Sequence, residues 1–180
     1  MASLTDASLS SAERVAAAKA LGSSRDPLAL ETLIRALGTM DEALTSAVVA
    51  SLKAQNAGPV LAKRLADSGT VEARKVQACT GLRHLKDASA VPALAVALKD
   101  ESALVRREAA LALTVIGPAP AEAALLVALG DSDGDVRYGA AEALGEIRSA
   151  QAKQALAVAL AKETNPTVRF ALEGALERCR

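Results

Sequence analysis

The sequence contains very few aromatic residues, and this shortage limits how a core can be built. Tyr138 and Phe170 are the only aromatic residues, and tryptophan is absent from the 180 residues. Because 51% of the residues are nonetheless hydrophobic, the core must consist mainly of alanine, leucine and valine. Such a core suits thin helical layers, in which each repeat buries its apolar face only against its neighbours.

Cysteine and histidine are equally scarce, which excludes several kinds of chemistry. Cys79 and Cys179 lie far apart in the chain, so they form neither a disulfide framework nor a metal-binding CxxC pair. We expect Cys79 to be a buried small apolar residue, whereas the sequence assigns no role to Cys179. A hydrogen bond at a helix end explains His84, the single histidine, better than catalysis does. The sequence therefore predicts no catalytic residue, no cofactor and no metal site.

Charge and hydropathy argue against two further classes of protein. The 21 basic and 21 acidic residues cancel, which disfavours phosphate-driven binding of nucleic acid. No window reaches the roughly 18 uninterrupted apolar residues that a membrane span needs, and residues 1–10 lack the apolar stretch of a signal peptide. We therefore expect a cytoplasmic protein without membrane contact.

What the sequence does contain is a repeat of about 31 residues. In each unit a small or aliphatic residue stands 3 positions, and a leucine 7 positions, after a basic or polar residue. These offsets share one face of an α-helix. A second segment of each full unit contributes two leucines 4 positions apart, again on one helical face. The basic or polar column consists of Arg14, Thr45, Lys75, Arg106, Arg137 and Arg169.

This repeat predicts an all-α fold, a right-handed α-α superhelix (α-solenoid) of about five and a half helix pairs. No stretch alternates with period two, so no strand is predicted. At the start of the third unit Val71 cannot cap a helix, and Thr70 is the alternative. The other first helices follow residues that cap helices well, namely Ser10, Asp41, Ser102, Asp133 and Asn165. We divide the chain into a lead-in or cap at 1–12 and a repeat domain at 13–180, with units 13–41, 42–70, 71–101, 102–132, 133–164 and a half unit 165–180.

Three segments resemble the short bacterial HEAT-like repeats of the phycobilisome-lyase type. Residues 133–147 (DGDVRYGAAEALGEI) and 102–113 (SALVRREAALAL) resemble the first helix of that family, and residues 87–100 (DASAVPALAVALKD) resemble its second. The resemblance covers roughly residues 13–180 and implies a HEAT-repeat solenoid. It implies little about function, because such repeats serve many unrelated tasks.

The basic column admits two interpretations. The residues Arg14, Lys75, Arg106, Arg137 and Arg169 either form a ladder that binds an anionic partner or reach acids and carbonyls in the adjacent repeat. The resemblance implies the second, structural interpretation, and we favour it.

The second helices carry the candidate partner-binding surface. If their paired leucines face the core, a row of other residues faces away from it, charged near the N-terminus and apolar toward the C-terminus. The resemblance implies that second helices line the concave side of the stack. Valines 31 residues apart there are typical of a partner site, unless packing covers them or they are scattered surface residues. The predicted partner-binding residues are Glu31, Arg35, Lys63, Ala93, Val96, Ala124, Val127, Gln154 and Val158.

We therefore predict a non-catalytic adaptor or scaffold that binds a protein or peptide on its concave face. The repeat type suggests one alternative, a subunit of a bilin lyase, although a bilin pocket needs aromatic or histidine contacts. The resemblance also suggests the di-iron hydroxylases built on HEAT repeats. Their mechanism needs several histidines, so the single histidine of this chain excludes it. Nucleic acid is a third and weaker candidate. We expect a monomer, while an outward-facing Phe170 would favour end-to-end dimers.

Overall fold

The chain folds into consecutive α-helices joined by short loops. The computed structural model describes residues 4–6, 8–24, 26–67, 69–117 and 119–180, and no strand occurs within these ranges. Short 3₁₀ turns at Ala36–Gly38, Ala88–Ala90 and Ala119–Ala121 flank three of the α-helices. The predicted all-α solenoid of stacked helix pairs is confirmed. The α-helices of the described residues are α1 (Ser11–Gly22), α2 (Pro27–Arg35), α3 (Glu42–Ala54), α4 (Ala57–Ala66), α5 (Glu72–Leu85), α6 (Val91–Ala97), α7 (Ala103–Ile116), α8 (Glu122–Ala128), α9 (Gly134–Ile147), α10 (Ala150–Lys162) and α11 (Pro166–Arg178).

Side-chain caps begin most of the first helices, as the sequence predicts. Asp133, for example, accepts hydrogen bonds from the backbone amides of Asp135 and Val136 at the start of α9. Ser10, Asp41, Ser102 and Asn165 cap α1, α3, α7 and α11 in the same way. The alternative cap for α5 is wrong, because the Thr70 hydroxyl donates to Asp67 and α5 starts after Val71 without a side-chain cap.

The first helices of the units, which carry odd numbers, form one layer that is closely packed except between α3 and α5, which contact each other only sparsely. The pairs α1–α3, α5–α7, α7–α9 and α9–α11 make the most extensive contacts in the molecule. Small residues permit this approach: a Cβ atom added to Gly139 would lie 2.7 Å from Cβ of Ala110, and one added to Gly145 would lie 2.9 Å from Cβ of Ala175. The second helices, with even numbers, pack against this layer, and α6, α8 and α10 contact one another only sparsely.

One continuous aliphatic core runs between the two layers. The paired leucines of the second helices point into it, and Leu61, Leu94, Leu125 and Leu156 are fully buried. Leu4 of the predicted lead-in is also buried, at 2% exposure, and belongs to this core. Residues 1–3 and 7 of the lead-in lie outside the described residues.

Candidate binding surface

The basic column of the first helices is occupied by ion pairs at the junctions between units. The Arg106 guanidinium donates to both oxygens of the Asp131 carboxylate, at 2.7 and 2.8 Å. Its remaining nitrogen donates to the backbone carbonyls of Asp100 and Glu101, each at 3.0 Å. The bidentate pair holds the loop after the helix pair, and the carbonyl contacts hold the loop before it. Arg106 therefore connects the loop that precedes its unit with the loop that follows it.

The same arrangement recurs along the column. Arg137 donates to both carboxylate oxygens of Glu163, at 2.7 and 3.0 Å, and Lys75 pairs with Asp100 at 2.7 Å. At the two ends of the column, Arg14 pairs with Asp41 at 3.1 Å, and Arg169 donates to the backbone carbonyls of Leu160 and Glu163, at 3.1 and 3.0 Å. These contacts support the structural interpretation of the column over an anion-binding ladder.

These acids are held ionised by their partners. Hydrogen bonds from Arg137 lower the pKa of the Glu163 carboxyl to about 2, and those from Arg106 lower the pKa of Asp131. Asp100, Asp131 and Glu163 recur at the repeat period, and this spacing is the sequence signal that identifies them as partners of the basic column. Each also accepts a hydrogen bond from the backbone amide of the residue that caps the next first helix.

Three valines of the second helices form an exposed row. Val96 on α6 is 57% exposed, Val127 on α8 is 70% exposed and Val158 on α10 is 51% exposed. They occupy equivalent positions in successive repeats, two residues after a fully buried leucine of each helix. The alternative that neighbouring side chains cover these valines is therefore wrong.

The remaining predicted residues divide into exposed and half-buried positions. Arg35, Lys63 and Gln154 are exposed beside the row, whereas Ala93 and Ala124 are half-buried. Glu31 is also half-buried, and its carboxylate is occupied by an ion pair with Arg64 of α4. That these nine residues bind a partner stays a prediction.

A groove between α8 and α10 continues the valine row. Its volume is about 500 Å³, and Leu126, Leu129, Ala155, Val158 and Ala159 supply its apolar walls. Gln151, Gln154 and Lys162 add polar groups, and Gly130 completes the lining. The sparse contact between α8 and α10 leaves this space open, so an aliphatic side chain of another molecule can enter it.

Most of the unpaired charges on the described second helices are positive. Arg35, Lys63, Lys153 and Lys162 have no ion pair or hydrogen bond to any described side chain. Of the two acids of these helices, Glu31 pairs with Arg64, whereas Glu122 accepts a hydrogen bond from the neutral Ser149 hydroxyl and keeps its negative charge. The loops that follow the helices add the exposed residues Lys99, Asp67 and Glu101, so the surface keeps a positive excess.

The concave placement of this surface also stays a prediction. From α5 onward the first helices pack more closely on one another than α6, α8 and α10 do, whereas α3 and α5 contact each other less than α4 and α6 do. The exposure of the valines and the groove does not depend on the direction of the bend.

Other reactive groups offer no second site. Burial raises the pKa of the Cys79 thiol to about 12, and burial lowers the pKa of His84. Among the described residues, no group of three or more histidine, cysteine, aspartate and glutamate side chains is placed to hold a metal ion. In the same part of the chain, none of the helices has both the length and the apolar content that crossing a bilayer requires.

Helix pairs stacked around one aliphatic core, with arginine–acid links at the junctions, define the protein as an α-solenoid. It belongs to the HEAT-repeat family: the profile of HEAT repeats matches residues 58–127 and 114–177, more than half of the chain. The profile of the PBS lyase HEAT-like repeat matches residues 13–39. No curated protein matches the sequence.

Solved structures share this fold at low sequence identity. Computationally designed armadillo repeat proteins for modular peptide recognition are 20% identical, with a TM-score of 0.59, over 94% of this chain and 93% of theirs. A designed armadillo repeat protein in complex with the peptide (KR)4 is 20% identical, with a TM-score of 0.58, over 94% of this chain and 92% of its own. Human deoxyhypusine hydroxylase is 24% identical, with a TM-score of 0.58, over 98% of this chain and 71% of its own. These similarities show the fold alone.

Proposed function

We propose that this protein is a non-catalytic interaction module that holds a protein or peptide on its second helices. The exposed row of Val96, Val127 and Val158 carries the proposal. An apolar row that continues into an apolar groove and has charged residues at its margins is the usual composition of a partner site. The stack provides this surface without a dedicated pocket.

Two further observations support the proposal. Designed repeat proteins of this fold are made for peptide recognition, and one holds the peptide (KR)4. The ion pairs fix the geometry of successive units, so the row is presented by a firmly connected scaffold. A cytoplasmic location remains part of the proposal, and the free thiols of Cys79 and Cys179 are compatible with a reducing compartment.

The geometry gives no support to bilin attachment or to nucleic-acid binding. The lining of the α8–α10 groove contains no aromatic or histidine side chain that would contact a bilin. Arg106 and Arg137 are occupied by Asp131 and Glu163, so the basic column does not offer nucleic acid a free ladder of cations.

Site-specific photo-crosslinking tests the proposal. A photoreactive residue would replace Val127 or Val158 in cells that produce the protein. Val115 on α7, which is 47% exposed in the other layer, gives the matched control. We expect a defined cross-linked partner from the second-helix positions and none from position 115. The same product from all three positions, or no product from positions 127 and 158, would overturn the proposal.

A further inference from the structure

We propose that the segment bound by this surface is an acidic amphipathic α-helix of about 20 residues that crosses α4, α6, α8 and α10. This inference rests on the proposed function and narrows it to one chemical class of partner. It is carried by the charge of the surface, by the absence of polar groups along its middle, and by the spacing of the second helices.

The charge of the surface selects an acidic partner. Lys63 lies beside one end of the valine row, and Lys162 lies on α10 one turn beyond Val158. Neither has a partner among the described residues. Of the two acids on these helices, Glu31 is neutralised by Arg64. Glu122 keeps its charge but lies about 140° around α8 from Val127. Carboxylates placed over the two lysines would gain attraction and speed the encounter. A basic segment would meet uncompensated positive charge instead.

The middle of the surface selects a helix over an extended segment. Helix α6 has no polar side chain, and Glu122, the single polar side chain of α8, is bonded to Ser149. An extended backbone over α6 and α8 would lose water from its amides and carbonyls without gaining other partners there. An α-helix satisfies these groups internally and presents only side chains.

The spacing of the repeats fits a helix with a seven-residue pattern. Packed helices lie about 8–10 Å apart. Seven residues of an α-helix rise about 10.5 Å and return to nearly the same face. Aliphatic side chains seven residues apart would therefore meet Val96, Val127 and Val158 in turn. One of them would enter the groove between α8 and α10.

A displayed peptide library tests this inference on the full chain. Peptides of about 21 residues, which is about 31 Å as a helix, would form two pools. One pool has aliphatic residues at seven-residue spacing, and the other has the same composition in scrambled order. In both pools the polar positions are drawn equally from glutamate, lysine, glutamine and serine. Selection on the native protein is compared with selection on the Val127→Asp, Val158→Asp double variant.

The outcomes separate the inference from the proposed function. Enrichment of acidic peptides from the periodic pool, lost on the double variant, is the expected result. Enrichment of basic, uncharged or scrambled peptides that is lost on the double variant would overturn the inference and leave the proposed function standing. Absence of any enrichment that depends on the two valines would count against both.

Charge-reversal variants then test whether the lysines contribute to binding of the enriched peptides. We expect Lys63→Glu with Lys162→Glu to weaken binding at least tenfold at low salt, and the loss to shrink as salt rises. Lys153→Glu is the matched control, because Lys153 lies about 140° around α10 from Val158, and its effect should stay within about twofold. Proline at the centre of the peptide should abolish binding. Undiminished binding of the proline peptide would contradict a helical partner.

Discussion

At the scale of single residues, the basic side chains fall into two groups with different environments. Arg106 and Arg137 are enclosed by carboxylates and carbonyls at the junctions between units. Lys63 and Lys162 are exposed and have no partner among the described residues. Structural stability therefore depends on the first group, and the charge seen by a binding partner depends on the second.

The Glu163–Arg137 pair predicts a specific loss of stability in acid. The folded pKa of Glu163, about 2, lies below its ordinary value of 4.5. A lowered pKa contributes stability that is complete above about pH 5 and is lost as the pH falls toward 2. Glu163→Gln should cost about 1–3 kcal/mol at neutral pH and flatten the decline in unfolding free energy between pH 5 and 2. Denaturant unfolding at several pH values measures both effects.

Glu101→Gln is the matched control, because Glu101 lies exposed in a loop and its side chain has no described partner. Its unfolding free energy should follow that of the native protein within about 0.5 kcal/mol at every pH. Parallel pH profiles for the native protein and Glu163→Gln would contradict a strengthened ion pair.

The two cysteines should differ sharply in reactivity. Cys79 is buried and its pKa is raised to about 12, so almost no thiolate exists near pH 8. Cys179 is partly exposed at the end of α11. Alkylation of the native protein should modify Cys179 alone, and denaturant should release Cys79. Mass spectrometry of Cys179→Ser gives the check, and rapid native labelling of that variant would show that Cys79 is accessible.

At the scale of helices, close packing of the first-helix layer sets the shape of the repeat. A Cβ atom at Gly139 would collide with Ala110 of α7, and one at Gly145 would collide with Ala175 of α11. The second helices have no comparable contacts between α6, α8 and α10, and the groove opens there. The first helices therefore fix the spacing of the units, and the second helices leave side chains free to contact another molecule.

Replacement of glycine by alanine separates helix propensity from packing. Alanine favours an exposed helix interior by about 1 kcal/mol over glycine, and Gly174 of α11 has room for the added carbon. At Gly139 the carbon would lie 2.7 Å from Ala110, and such overpacking costs about 1–3 kcal/mol. Gly174→Ala should raise the melting temperature and Gly139→Ala should lower it. Equal stabilisation by both substitutions would show that the first helices are not in tight contact.

The helices were more predictable from the sequence than the surface. Caps such as Asp133 and buried leucines such as Leu94 follow from local spacing, because each depends on residues within one or two turns. The partner of Arg106 could not be assigned in this way, since Asp131 lies in a distant loop and only the fold brings the two together. The valine row was predicted from its spacing, but its exposure depended on how closely α6, α8 and α10 approach.

At the scale of the whole molecule, the outer face of α11 carries carboxylates together with one aromatic side chain. Ala141 and Gly145 of α9 are buried, Gly145 against Ala175 of α11, and the equivalent positions of α11 carry the exposed residues Glu173 and Glu177. A second copy stacked here would bury two carboxylates at considerable cost. Phe170 is 74% exposed, and because it precedes Glu177 by seven residues it lies on the same face of α11. An end-to-end dimer would gain contact with Phe170 but would have to bury Glu173 and Glu177 beside it.

This arrangement predicts how the assembly state responds to substitution. The native protein and Phe170→Ala should both be monomers at micromolar concentration. Glu173→Leu with Glu177→Leu should produce dimers that increase with concentration, because the end face becomes apolar. Light scattering coupled to size-exclusion chromatography measures the mass. A native dimer that Phe170→Ala dissociates would contradict the assignment of the end face.

The most direct measurement is the affinity of the cross-linked partner for three forms of the purified protein. We predict that Val127→Asp with Val158→Asp weakens binding at least tenfold, a loss of about 1.4 kcal/mol or more, and leaves the melting temperature nearly unchanged. Val115→Asp on the other layer should bind as the native protein does. Equal affinity of the native protein and the double variant, with the fold intact in both, would contradict binding on the second helices.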